Sequence, residues 1–123
     1  MSSIDTQVLE SLLDMLEGDQ DVLAEIINCY LMESPKIIAA IQTSASQGDA
    51  DNLGKTAHNL KSSSASLGAM DIHQLCLELE SKGKNGNLAG SLELVSQLIN
   101  EYAQVEIDLK KLLQSSSCTP RYL

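Results

Sequence analysis

The chain has 123 residues, 43% of them hydrophobic, with three tyrosines and neither Trp nor Phe. That length predicts one domain, and a core of Leu, Ile, Val, Met and Ala without β-branched alternation predicts an all-α protein. A formal net charge of −9 excludes phosphate backbones and anionic membrane surfaces as partners. No apolar run approaches a signal peptide or the roughly 18 residues of a membrane span, which predicts a cytoplasmic protein.

In chain order, residues 1–3 should fray and Asp5 should cap a short first helix carrying Val8, Leu9, Leu12, Leu13 and Leu16. Gly18 supplies a left-handed stop, and Asp19 caps a second helix with Val22, Leu23, Ile26, Ile27, Tyr30 and Leu31 inward. Ser34-Pro35 predicts a break near Glu33, followed by a third helix that buries Ile37, Ile38 and Ile41 and closes at Gly48. Asp49 caps a fourth helix that ends at Gly68, and a fifth runs from Asp71 to Ser81 with Ile72, Leu75, Cys76 and Leu79 inward. The Lys-Gly-Lys-Asn-Gly stretch at 82–86 is predicted as a loop. A last helix from Leu88 to Gln114, about 40 Å long, should bury Leu92, Val95, Ile99, Tyr102, Leu109 and Leu113, with Val105 taking over near Glu106. Residues 1–114 form the domain and 115–123 a flexible tail. Short connections between amphipathic helices favour an antiparallel, up-and-down four-helix bundle with one or two additional N-terminal helices. In that arrangement the final four helices make the bundle and the first two cover one end or side.

Cys29, Cys76 and Cys118 are odd in number, widely spaced and without a C-x-x-C, as expected of small buried thiols in a reducing compartment. His58 and His73 sit on separate helices without a Glu-x-x-His or His-x-x-x-His spacing, which leaves a metal-binding bundle poorly supported. No G-x-x-x-x-G-K-[ST] loop is present to hold ATP.

The fourth helix carries the candidate chemistry. Ala50, Leu53, Ala57, Leu60, Ser64 and Leu67 form its inward stripe. His58 lies about 130° from the centre of that stripe and so points outward. Gly54, Ser62 and Ala65 lie one turn before, one turn after and two turns after it, so the histidine stands in a clearing with Lys55 and Lys61 at i−3 and i+3. Cations beside an imidazole disfavour its protonated form, keep a lone pair available, and become attractive partners once the ring carries a phosphoryl group. A surface nucleophile that passes phosphate between proteins needs that combination.

Ala57-His58-Asn59-Leu60-Lys61-Ser62-Ser63-Ser64-Ala65-Ser66-Leu67-Gly68-Ala69 closely resembles the signature of histidine-containing phosphotransfer (HPt) domains: a histidine, then leucine, lysine, small residues and Gly-Ala. Leu75-Cys76-Leu77-Glu78-Leu79-Glu80 is similar to the family's next helix, and Leu12 to Gly18 and Ser34-Pro35 fit upstream, so the resemblance covers residues 5–113. It implies a four-helix bundle with His58 as phospho-acceptor and Lys61 steadying the phosphoryl oxygens. Ser62 stands where the family commonly has glycine and offers a hydroxyl, and Glu80 matches a polar side chain that bonds the other ring nitrogen. Against that role Glu80 can equally be a solvated glutamate, Lys55 an incidental surface lysine and His73 a boundary residue. The implied function is a phosphorelay intermediate that takes a phosphoryl group from a receiver-domain aspartate of a hybrid sensor kinase and passes it to a response-regulator aspartate. No cofactor is expected, and Mg²⁺ is expected only in the partner's acidic pocket. The chain is expected to be a stand-alone monomer that does not use ATP. The alternative is a helical adaptor of the same fold that binds a sensor kinase or response regulator without taking phosphate.

Overall fold

The computed structural model describes residues 4–117, with no strand among them. Five helices follow one another: α1 (Thr6–Met15), α2 (Gln20–Gln47), α3 (Ala50–Ser66), α4 (Met70–Asn85) and α5 (Ser91–Ser117). The three aspartate caps form as the sequence predicts. Asp5 accepts from Gln7 N, Asp19 from Asp21 N and Val22 N, and Asp49 from Asn52 N, which satisfies amides that otherwise lack a helical partner.

The helix count differs from the expectation, because the predicted second and third helices are one. Pro35 lies inside α2 without ending it. An interior proline costs about 3 kcal/mol, yet Ile27, Tyr30, Ser34, Ile38, Ile41 and Ala45 make one continuous buried stripe on both sides of it. Burial of that stripe holds the helix straight through the residue that local preference would use as a break.

The four long helices close a ring in which α2 packs on α3, α3 on α4, α4 on α5 and α5 back on α2. The bundle is therefore α2 to α5, and only α1 is additional. The second predicted helix belongs to the wall of the bundle, not to a cover. The segment before α1 is pinned to the α3–α4 turn, where Asp5 N donates to Gly68 O at 2.8 Å. Gly68 has φ +83°, and a Cβ there would come within 2.6 Å of Asp5 O, so both conformation and space require glycine.

Three further expectations need correction. The core stripe of α5 is Val95, Leu98, Tyr102, Val105 and Leu109, whereas Leu92 and Ile99 are exposed. Centring the stripe on Leu98 removes the interruption at Glu106 and keeps the 3.6-residue period intact. Cys29 is exposed, not buried, while Cys76 is fully buried. Burial first, and then the nearby Glu80 charge, push the Cys76 thiol up to about 12. Helix α5 continues through Ser117, three residues beyond its predicted end. The rest of the expected tail, Cys118 included, and residues 1–3 lie outside the described residues.

Among the described residues, no helix is long and apolar enough to cross a membrane.

Candidate functional site

The site is built on the α3–α4 pair, the most extensively packed in the molecule. Leu53, Ala57, Leu60 and Ser64 are the buried face of α3. Ser64 Oγ shares a 2.8 Å hydrogen bond with Tyr30 of α2, fixing the rotation of α3. His58 is then held outward, with 57% of its side chain exposed. On α4 the buried face is Ile72, Cys76, Leu79, Glu80 and Gly83. Glu80 is a carboxylate in an otherwise apolar or small stripe, and only 7% of its side chain is exposed.

A buried carboxylate is costly unless it is paired. Glu80 is paired three times. Lys61 Nζ donates to Oε1 at 2.6 Å, His58 Nδ1 lies 2.8 Å from Oε2, and Lys84 Nζ lies 3.5 Å from that same oxygen. The hydrogen bond from Lys61, opposed by desolvation and joined by the hydrogen bond of His58 and the charges of Lys61 and Lys84, holds the Glu80 carboxyl down to about 2. At neutral pH the carboxylate is ionised and can only accept. The Nδ1 atom of His58 therefore carries its hydrogen towards Glu80. In the neutral ring the lone pair is then on Nε2, the nitrogen on the far side of the imidazole.

The structure thus brings together three of the four residues that the sequence singles out. Ser62 is the exception. It is exposed one turn beyond His58, and its hydroxyl donates at 3.4 Å to the His58 carbonyl of its own helix. The nearest charge to the ring is an anion, not the two ammonium groups expected there. Lys61 is engaged by Glu80, with 19% of its side chain exposed, and Lys55 pairs with Asp51 at 3.1 Å on the surface. His73 is half-buried, and its Nδ1 lies 3.3 Å from the Lys61 carbonyl, making a second tie between α3 and α4.

Gly54 belongs to a helix contact. Opposite it stands Gly83, where a Cβ would come within 2.6 Å of Gly54 N and 2.7 Å of Ala50 O. Two backbones touch where the sequence predicts open space and a loop. Beside them opens a cleft of about 520 Å³ lined by Gly54, Lys55, His58, Asn59, Glu80 and Lys84 among others. Gly83 and Lys84 are the residues that sequence reasoning misses. The Glu80–Lys84 spacing of i, i+4 was the available signal, and it becomes meaningful because α4 continues past Ser81 to Asn85. Among the described residues, no group of three or more His, Cys, Asp or Glu side chains is placed to hold a metal ion.

An outward histidine, tied by one nitrogen to a buried and charge-compensated carboxylate on a four-helix bundle, defines a phosphotransfer-type module. The chain belongs to the Hpt domain family, whose model matches residues 25–108. It is similar to histidine-containing phosphotransfer protein 4 of Arabidopsis thaliana, with 27% identity over 117 residues that cover 92% of this chain and 91% of that protein. Histidine-containing phosphotransfer protein 2 of the same plant is 24% identical over 85% of this chain and 74% of its own. Among solved structures, histidine-containing phosphotransfer protein B of Pseudomonas aeruginosa PAO1 superposes with a TM-score of 0.84 and 28% identity, covering 91% of this chain and 95% of that one. The HPT domain of a sensor hybrid histidine kinase from Shewanella shares the fold, with a TM-score of 0.76 at 23% identity over 92% and 95% of the two chains.

Proposed function

We propose that this protein is a phosphocarrier in a two-component phosphorelay and that His58 carries the phosphoryl group on Nε2. The observation that supports this most is the pairing of an exposed imidazole with an ionised, buried Glu80 through Nδ1. In the forward step the Nε2 lone pair attacks the phosphorus of a receiver-domain aspartyl phosphate. The N–P bond forms as the aspartyl O–P bond breaks, and the electron pair returns to the receiver's carboxylate. The Nδ1 hydrogen stays on the ring throughout. Glu80 stabilises the positive charge that the ring gains on phosphorylation, and it fixes ring orientation. The reverse step, with a response-regulator aspartate as acceptor, needs no other group from this chain.

Lys61 is assigned two duties: it neutralises Glu80, and its charge offsets the phosphoryl oxygens. Ser62 keeps the side next to the ring small enough for a partner to approach. Mg²⁺ is assigned to the acidic pocket of the receiver. The domain is proposed to act as a cytoplasmic monomer, since the members of the site come from one chain, and without ATP, since the sequence lacks a phosphate-binding glycine loop.

Incubation with a ³²P-labelled receiver domain tests the proposal. Acid-labile, alkali-stable label should appear on the wild type and be absent from His58→Gln. Equal label on both proteins, or label on neither, sinks it. The second outcome, together with receiver binding unchanged in His58→Gln, supports the adaptor alternative.

A further inference from the structure

Three ammonium groups flank His58, and they differ in what each gives up by moving. Lys55 is committed to Asp51, both side chains lying on open surface. Lys61 makes a 2.6 Å contact with Glu80 Oε1 and is largely buried. Drawing it away strands that oxygen of a buried carboxylate, an expensive loss. Lys84 is placed differently. Its side chain is 73% exposed, and its 3.5 Å contact is to Oε2, the oxygen that His58 Nδ1 already satisfies at 2.8 Å. Its departure leaves no atom of Glu80 without a partner. Lys84 also lines the cleft beside the ring, on the Gly54 side.

Charge favours the move as well. The cluster of Glu80, Lys61 and Lys84 carries one excess positive charge, and a phosphoryl group adds nearly two negative charges at neutral pH. A mobile ammonium on a four-carbon stem, beside the ring, goes to the phosphate. We infer that Lys84 is a binding residue for the phosphoryl group, swinging from Glu80 to the phosphoryl oxygens of His58 while Lys61 stays on Glu80. The inference rests on the phosphocarrier reading of His58. Lys84 forms no covalent bond and transfers no proton; the bonds made and broken remain those of Nε2, phosphorus and the aspartyl oxygen.

Three forms of the full chain test this: wild type, Lys84→Ala and Lys84→Arg. Each is charged by a phosphorylated receiver domain and followed for label transfer. The charged forms are then titrated by ³¹P NMR, because a bound cation lowers the pH at which the phosphoryl group takes up its proton. Lys84→Ala should transfer about 5- to 20-fold more slowly, the scale of one charge-assisted contact at a partly solvated site. Its ³¹P midpoint should move to higher pH, and Lys84→Arg should recover both readouts to within about threefold of wild type and close to the wild-type midpoint. Thermal midpoints should agree across the set, since exposed lysines contribute little to stability. Wild-type rate and wild-type ³¹P midpoint in Lys84→Ala overturn the Lys84 assignment alone. A rate loss that Lys84→Arg does not recover also overturns it. Absence of label from the wild type overturns the His58 reading and this inference with it.

Discussion

The two histidines of this domain make the same kind of contact to opposite ends. Each sends Nδ1 across the α3–α4 interface, His58 to the Glu80 carboxylate and His73 to the Lys61 carbonyl. His58 is mostly exposed and tied to a charge, whereas His73 is half-buried and tied to a neutral dipole. A carboxylate stabilises a ring that becomes cationic on phosphorylation; a carbonyl offers less, and a half-covered ring gives a partner less room. On the proposed reading, the anion beneath the ring, more than the histidine itself, marks the acceptor. The largest expected effect follows from it. His58→Gln should abolish labelling by a phosphorylated receiver, while His73→Gln should retain at least about half the wild-type rate, because it loses one hydrogen bond worth about 1 kcal/mol of stability. Equal loss in both variants breaks the contrast.

The α3–α4 contact beside His58 depends on one of its two glycines. A Cβ at Gly83 meets backbone atoms at 2.6 and 2.7 Å, whereas one at Gly54 meets its nearest neighbours at an ordinary 3.8 Å. Gly83→Ala should therefore push α4 off α3, destabilise by about 2–3 kcal/mol and slow transfer by displacing Glu80. Gly54→Ala should be neutral or stabilising by up to about 1 kcal/mol, from helix propensity alone. Urea unfolding of both proteins gives the answer, and equal midpoints refute the asymmetry. Next in size is the contrast of two lysines on α3. Lys61→Ala leaves a buried carboxylate oxygen without its shortest partner and should cost about 2 kcal/mol. Lys55→Ala, which loses an exposed i, i+4 pair, should change stability by less than about 0.5 kcal/mol. An exposed Lys61 would instead have made the two alike.

Those asymmetries bear on what could be read from the residues alone. The helical class and the outward His58 follow from a 3.6-residue period that survives in the fold. The caps follow from the preference of aspartate for helix starts, and the match of Glu80 to the ring follows from the resemblance of the α4 sequence to that of the family. The period fails where long-range packing outweighs a local signal. Pro35 breaks helices in isolation, yet the stripe from Ile27 to Ala45 carries α2 across it. Gly83 and Lys84 have the composition of a loop, yet contact with Gly54 keeps them helical and brings Lys84 one turn beyond Glu80. On α5, Leu92 and Ile99 fit a helical stripe as well as Leu98 does, and only the neighbouring helices decide which set is buried. Features set by a single helix were therefore legible, and of those whose meaning depends on a second helix only Glu80 was, through the family resemblance.

The smallest effect concerns acid, and it is confined to the neighbourhood of His58. The Glu80 carboxyl sits at about 2 in the folded protein, below its ordinary 4.5, chiefly because Lys61 donates to it. Between those values the unfolded chain takes up a proton that the folded chain refuses, so the stabilisation is complete above about pH 4.5 and drains away as pH falls towards 2. Glu80→Gln keeps a polar group but cannot titrate, so its stability should fall less steeply over the same window. At pH 3.5 the wild type should have lost about 1–2 kcal/mol more than Glu80→Gln, each measured against its own value at pH 7. The remaining carboxylates titrate alike in both proteins and cancel in that difference. His73→Gln serves as the control, because the His73 contact contains no carboxylate, and its acid limb should follow that of the wild type. Parallel acid limbs for wild type and Glu80→Gln would show that the carboxylate beneath His58 is not held ionised by its lysine, and the distinction between the two histidines would then lose its electrostatic basis.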